Sequence, residues 1–288
     1  MSERRISCLG PHGFHVLAYG GWGEGASQGV PVICVHGLTR NGRDFDVLAS
    51  RLARNRRVLC PDMPGRGRSP WLAVSADYTY PLYMADAAAL IATLGGGPVD
   101  WIGTSMGGII GMMLASLPGT PIRRLVLNDI GPFIPKASLE RLGSYVGGDP
   151  HFADLAGVET YLRRIHAPFG ALTDAQWQHM ALHSHRRLAD GGFALGYDPA
   201  IGDALQGEMA DVEFWSTYDR IACPTLVLRG MDSDLLPAEV AAEMTRRGPS
   251  ATLWELPGIG HAPGLMDDAQ IARVESFLGE LERAFQTE

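Results

Sequence analysis

The stretch Trp101-Ile102-Gly103-Thr104-Ser105-Met106-Gly107-Gly108 concentrates the residue types that could do acyl chemistry. Ser105 stands in a Gly-x-Ser-x-Gly pattern between the apolar run Val99–Ile102 and a second apolar run, Ile109–Leu114, with helical character. Strand, sharp turn and helix in that order hold a serine in a strained backbone conformation with its hydroxyl exposed. Close neighbours of such a turn must lack side chains, and Gly103, Gly107 and Gly108 meet that demand. The Met106 N–H and the positive end of the following helix would then favour a developing oxyanion. Read alone, the stretch also fits an ordinary glycine-rich strand–helix turn. A serine hydroxyl is a weak nucleophile until a neighbouring base takes its proton. The candidate base is His261, in the glycine-rich loop Gly258-Ile259-Gly260-His261-Ala262-Pro263 after the last predicted strand.

Bringing these distant residues together requires a sheet. Arg5–Leu9 and Phe14–Tyr19 read as an antiparallel hairpin linked by Gly10-Pro11-His12-Gly13. Val30–Val35, Arg57–Cys60, Val99–Ile102, Arg124–Asn128, Thr225–Arg229 and Thr252–Leu256 read as further strands. Helical segments at Phe45–Leu52, Tyr83–Leu94 and Ala269–Phe285 alternate with them, which implies a parallel sheet with helices on both faces. From about Phe133 to Trp215 the alternation lapses into short helical patterns (Leu139–Val146, Val158–His166, Asp174–Ala189) rich in aromatic residues. This middle segment is expected to be a helical cap, with a minority of its aromatics facing a cavity.

The 288 residues can bury a large core, as one domain with an insertion or as two compact domains. A net charge of −8 without a Lys/Arg-rich run argues against nucleic acid and anionic membranes as partners. The basic start Met1–Arg5 lacks the apolar segment of a secretory signal, and no apolar run approaches the roughly 18 residues of a membrane span. Cys8, Cys34, Cys60 and Cys223 lie far apart in or beside strands, so buried reduced thiols and a cytoplasmic location are expected. His179, His183 and His185 have near-helical spacing. They lack the His-Glu-x-x-His pattern and neighbour Arg186 and Arg187, so an exposed helix is expected and no metal site.

With the Ser105 turn placed on an alternating α/β chain, the sequence resembles the α/β-hydrolase superfamily over nearly its whole length. Val35-His36-Gly37-Leu38 is similar to the family's segment after the third strand, and Asp62-Met63-Pro64-Gly65-Arg66-Gly67-Arg68-Ser69 to the loop after the fourth. The loop around His261 resembles the family's histidine loop, and the order of nucleophile first and histidine last also agrees. The resemblance implies an α/β-hydrolase fold with a mostly parallel eight-stranded sheet, helices on both faces and an inserted helical cap. It implies a core of residues 1–132 and 216–288 and a cap of 133–215. It also makes the Leu38 N–H the partner of the Met106 N–H in an oxyanion hole, and gives His36 a packing role. Arg40 and Asn41, just beyond, read as surface loop residues rather than substrate contacts.

The acid of a Ser-His-Asp triad is left between two positions. The commonest family pattern places it after the strand equivalent to Thr225–Arg229, where Gly230-Met231-Asp232-Ser233-Asp234 puts Ser233 at the usual acid position with Asp232 and Asp234 beside it. Some family members take the acid from the preceding strand, with a turn similar to Asp129-Ile130-Gly131-Pro132. Asp129 is taken first and Asp234 as the alternative. Without catalysis, Asp129 would be a turn residue, and Asp232 and Asp234 helix caps before Ala238.

The resemblance implies a serine hydrolase acting on carboxylic esters or lactones of small, mostly apolar substrates, with no cofactor and no metal. Haloalkane dehalogenases and epoxide hydrolases, which use an aspartate nucleophile, are set aside by Ser105. A C–C hydrolase of ring-cleavage products is an alternative, weakened because Ala262 follows His261 where an aromatic is usual. A non-catalytic ligand-binding protein of the same fold is the other. The expected partner is a small-molecule ester, and monomer and dimer both remain open.

Overall fold

The computed structural model describes residues 1–26 and 29–284. In chain order its first half runs β1 (Ser2–Gly10), β2 (Gly13–Trp22), β3 (Val32–Val35), α1 (Asp46–Leu52), β4 (Val58–Asp62), α2 (Tyr80–Ala92), β5 (Val99–Thr104), α3 (Met106–Ala115) and β6 (Ile122–Asn128). The middle contains β7 (Phe133–Ile134), α4 (Lys136–Gly143), α5 (Leu155–Ile165), α6 (Asp174–His183), β8 (His185–Arg187), β9 (Phe193–Leu195), β10 (Val212–Glu213) and α7 (Trp215–Tyr218). The chain then continues through β11 (Thr225–Gly230), α8 (Ala238–Met244), β12 (Thr252–Leu256) and α9 (Asp268–Ala284). The end of the predicted last helix, Phe285, lies outside the described residues.

Eight strands form one sheet in the order β1-β2-β4-β3-β5-β6-β11-β12. β1, β2 and β4 pair antiparallel in sequence, and every pairing from β4 through β3 to β12 is parallel. Side chains alternate across the sheet as the pleat dictates. Ile33, Val35, Trp101, Leu125, Leu127 and Val227 pack on one face with α2, α3 and α8. Val32, Cys34, Ile102, Val126, Leu226 and Leu228 pack on the other with α1 and α9. Burial on both faces explains why these strands read as unbroken apolar runs. In register, Val35 pairs with Gly103, Thr104 with Asn128 and Asn128 with Leu228, so β3, β5, β6 and β11 all end at one edge. Ligand sites of open α/β sheets lie at that edge.

Between β6 and β11 the chain builds a separate apolar cluster around Val158, Leu162, Trp177, Met180, Phe193 and Leu195, joined by Met266. The two ends of this segment are tied by pairing of Phe133–Ile134 with Val212–Glu213. The segment is not wholly helical, contrary to the sequence expectation. α6 stops at His183 rather than Ala189, and His185–Arg187 forms a hairpin with Phe193–Leu195. Phe193 and Leu195 gain burial in the cluster as a strand, and that tertiary packing overrides the helical pattern. Among the described residues, no helix is long and apolar enough to cross a membrane.

Candidate active site

Ser105 bridges β5 and α3 with φ 51° and ψ −114°, a conformation non-glycine residues rarely adopt. The turn is held by close backbone approach. A Cβ on Gly103 would lie 2.3 Å from the Gly107 carbonyl, and one on Gly107 would lie 2.0 Å from the Val35 oxygen. Trp101 Nε1 donates to the Gly107 carbonyl at 2.9 Å, tying the buried strand to the helix that starts after the serine.

The loop after β12 lies across the ends of β6 and β11. Asp232 N–H donates to the Ile259 carbonyl at 2.9 Å, and Gly260 N–H to the Pro168 carbonyl at 2.7 Å. Asn128 Nδ2 donates to the Pro263 carbonyl at 2.9 Å. Gly230 makes room for this crossing, since a Cβ there would meet the Ile259 and Gly260 oxygens at 2.4 Å. So held, His261 places Nε2 3.0 Å from Ser105 Oγ and Nδ1 2.7 Å from Asp129 Oδ2. With Nδ1–H donating to the carboxylate, Nε2 is left to accept the serine proton.

Of the two acids considered, the structure brings Asp129 to the imidazole. Asp129 is fully buried, and its Oδ1 accepts the Gly230 N–H at 2.8 Å. Asp234 is exposed and pairs with Arg141. Neither Asp232 nor Asp234 caps α8, because Pro237 occupies the N-cap and the chain turns through Leu235 and Leu236 first. Ser233, at the family's usual acid position, donates its hydroxyl to Asp129 Oδ2 at 2.6 Å.

Leu38, Met106 and Ser105 line one cavity; the Leu38 N–H makes no backbone hydrogen bond among the described residues, and Met106 is the first residue of α3, where N–H groups lack an intrahelical acceptor. Arg66, which the sequence reading passed over, is buried and commits its whole guanidinium here. Its Nε donates to the Leu38 carbonyl at 2.9 Å, and its Nη1 to the Pro64 carbonyl at 2.7 Å and the Tyr83 hydroxyl at 2.8 Å. Its Nη2 lies 3.6 Å from Met106 Sδ. His36 is also buried, donating Nδ1–H to the Gly37 carbonyl and accepting Met63 N–H at Nε2. Burial pushes its pKa down to about 4, so the ring is a neutral tie between loops.

Ser105 lines two cavities, and Leu38 and Leu142 line both with it. The larger, about 270 Å³, is walled mainly by apolar side chains including Ile109, Ile134, Leu139 and Phe214. The smaller, about 70 Å³, includes Arg40, Arg141, Tyr145, His166 and Phe169. Arg40 and Asn41 are therefore not surface loop residues. They are 5% and 3% exposed, because the middle segment seats on them, with Asn41 Nδ2 donating to the His183 carbonyl at 2.8 Å.

Two groups of side chains have metal-ligand types in proximity. Cys8, His15 and Asp86 form one, and Asp46, His179 and His183 the other, each with ligand atoms within 4.8 Å of one another. The partnering of His179 and His183 with Asp46 depends on tertiary contact and was invisible in the histidine spacing. In both groups the carboxylate already has a partner, His15 for Asp86 and Arg43 for Asp46. His183 is half-buried rather than exposed, and burial with nearby Arg43 lowers its pKa to about 4. The described cysteines are free, and burial pushes Cys8 up to about 12 and Cys223 up to about 11, so neither is a ready thiolate.

A model of the alpha/beta hydrolase family matches residues 32–274. The chain is 43% identical to a 3-hydroxybutyrate-oligomer hydrolase of Cupriavidus necator, over 94% of this chain and 96% of that one. It is 28% identical to a 2-(acetamidomethylene)succinate hydrolase of Mesorhizobium japonicum, over 81% of this chain and 82% of that one. Among solved structures, a Rickettsia typhi protein superposes with a TM-score of 0.91 at 33% identity, covering 97% of this chain and 99% of that one. An alpha/beta hydrolase of Novosphingobium aromaticivorans gives 0.86 at 36% identity, covering 96% and 97%. The sheet order, the serine turn after β5 and the histidine loop after β12 thus coincide with a family match spanning most of the sequence, and the chain belongs to the alpha/beta hydrolase family.

Proposed function

We propose that the protein is a serine hydrolase cleaving carboxylic esters or lactones of small, mostly apolar substrates, with short oligoesters of 3-hydroxy acids first among them. The observation that carries this reading is the hydrogen-bonded chain Ser105–His261–Asp129, at 3.0 and 2.7 Å. The substrate class draws on the name of the Cupriavidus necator relative and on the apolar wall of the larger cavity.

In this reading Ser105 Oγ attacks the ester carbonyl carbon while His261 Nε2 takes the hydroxyl proton. The carbonyl oxygen becomes an oxyanion held by the Leu38 and Met106 N–H groups. The C–O bond then breaks, and the leaving alkoxide takes the proton from His261. Water attacks the resulting acyl-enzyme by the same route, restoring the Ser105 hydroxyl and releasing the acid. Asp129 holds the imidazole tautomer and stabilises the imidazolium without itself taking the proton. Residues 133–215 serve as a cap over the core of 1–132 and 216–288, and their apolar side chains help exclude water.

Fluorophosphonate labelling with peptide mapping, beside a panel of short- to long-acyl esters, tests the reading. Labelling at Ser105, lost in Ser105→Ala, together with ester turnover is the expected result. Folded protein that neither labels nor turns over an ester would overturn it. Turnover restricted to a ring-cleavage dienoic acid would favour C–C hydrolysis instead.

A further inference from the structure

We propose that the smaller cavity beside Ser105 is a carboxylate subsite, in which Arg40 and Arg141 receive the free acid end of a short hydroxy-acid leaving group. This rests on the ester-hydrolase reading above and adds to it the charge of the substrate.

The two cavities that meet at Ser105 differ in what they offer. In the larger one, Arg66 already has partners at all three nitrogens. In the smaller one, Arg40 is held by Asp44 through Nε and Nη2, at 2.8 Å for the first contact, and its Nη1 makes no hydrogen bond among the described residues. Arg141 is held in the same way by Asp234 through Nε and Nη2, with the Tyr145 hydroxyl beside it. Each guanidinium is therefore oriented by one carboxylate along one edge; Arg40 keeps Nη1 for another partner, and Arg141, which also hydrogen-bonds Tyr145, has N–H groups left to share with a substrate anion. Of the charged side chains that line this cavity, Arg40 and Arg141 are positive and Asp44, itself paired with Arg40, is the acid; Asp234 does not line it.

A nearly buried guanidinium with unused donors favours an anionic partner, because the contact is charge-assisted and partly shielded from water. His166 faces the same space, its ring packed on Phe169 at 4.5 Å between centroids, and its side chain makes no hydrogen bond among the described residues. Burial, with Arg40 and His261 adding to it, holds this imidazole neutral, so it can meet a polar substrate atom without adding charge.

The size agrees with a short acid. About 70 Å³ admits a few heavy atoms, whereas the apolar cavity of about 270 Å³ admits a longer acyl chain. A 3-hydroxy acid released as the alcohol carries its carboxylate two carbons from the carbinol, within reach of a small pocket flanking the serine. An oligoester would thus lie with its acyl part in the larger cavity and its acid end in the smaller.

The test compares cleavage of the internal ester in the 3-hydroxybutyrate dimer and in its terminal primary amide, which is close in shape but uncharged and adds no second ester, on wild type and Arg141→Gln. Arg141 is partly exposed and held by Asp234, so its replacement leaves the buried Arg40–Asp44 pair intact. Wild type is expected to favour the free acid in KM by about tenfold or more, the size of one charge-assisted hydrogen bond. Arg141→Gln is expected to erase most of that preference, and Arg141→Lys to restore part of it. Equal kcat/KM for acid and amide in wild type would overturn the subsite while leaving the ester-hydrolase reading in place. Absence of turnover on both, in protein that cleaves no simple ester either, would overturn both.

Discussion

Ser233 donates its hydroxyl to Asp129 at 2.6 Å, on the same oxygen, Oδ2, that faces His261 Nδ1 at 2.7 Å. The loop after β11, where the commonest family pattern carries its acid, here supplies a support for an acid that comes from β6. Ser233 Oγ also accepts the Leu235 and Leu236 N–H groups at 3.2 Å, so the hydroxyl is fixed from both sides.

This arrangement sets an order of effects. Asp129→Asn should lower kcat by roughly 10³-fold or more, as loss of a triad acid does elsewhere. Ser233→Ala removes one of three donors to the carboxylate and should lower kcat by about tenfold, within the range of a hydrogen bond to a charged group. Asp234→Asn, at an exposed ion pair, should change kcat for a neutral ester by less than about threefold. Steady-state kinetics on one neutral ester rank the three, and a larger effect at Asp234 than at Asp129 would reverse the assignment.

Much of the core sheet was legible because its signals are local. The apolar runs of β3, β5, β6 and β11 fall within a few residues of their predicted bounds, and the serine turn announces itself through Gly103, Gly107 and Gly108. The choice between Asp129 and Asp234 was not local. It depends on how the ends of β6 and β11 align and on where the loop around His261 crosses them. Arg40 was placed on the surface, and His166 was not singled out, for a similar reason, since only the seating of the middle segment against the core buries them. Arg66 sat in a loop quoted for its resemblance, but nothing in its spacing says that its side chain turns inward to Leu38.

The turn at Ser105 should tolerate no added atom. Gly107→Ala would place a Cβ 2.0 Å from the Val35 carbonyl oxygen, which is backbone of a central strand and has little room to retreat. Loss of soluble protein, or destabilisation of several kcal/mol, is expected in urea melts. Gly97→Ala is the control, because its Cβ would meet nothing within 4 Å. It should be neutral within about 0.5 kcal/mol or slightly stabilising. A Gly107→Ala protein as stable as Gly97→Ala would mean the turn is looser than these contacts require.

The buried His36 makes stability depend on pH. Unfolded, the ring titrates near its ordinary value of about 6.5; folded, burial depresses the pKa to about 4. Between these values the unfolded chain binds the extra proton, so stability is full above the unfolded value and falls as pH drops toward 4. From pH 7 to pH 5 the contribution of His36 should amount to about 2 kcal/mol. His166, depressed in the same direction by burial, adds to the slope. Urea unfolding at the two pH values should therefore show a smaller difference for His36→Asn than for wild type. An unchanged difference would remove His36 as a source of acid sensitivity.

Arg66 should matter to the rate more than to substrate binding. Its guanidinium joins the Leu38 carbonyl, the Pro64 carbonyl and the Tyr83 hydroxyl, and it lies 5.2 Å over the Tyr83 ring. Those contacts fix the residue whose N–H we assign to the oxyanion. Lysine keeps the charge but lacks the planar fork, so it cannot meet the three oxygens at once. Arg66→Lys should lower kcat by roughly 10- to 100-fold, somewhat less than outright loss of an oxyanion donor, with KM changed far less. Some loss of stability is also expected, because carbonyls in the interior lose their donors. Kinetics at a temperature well below the melting transition, with circular dichroism to confirm the fold, separate the two effects. A folded Arg66→Lys enzyme with wild-type kcat would show that the Leu38 backbone holds its position without the guanidinium.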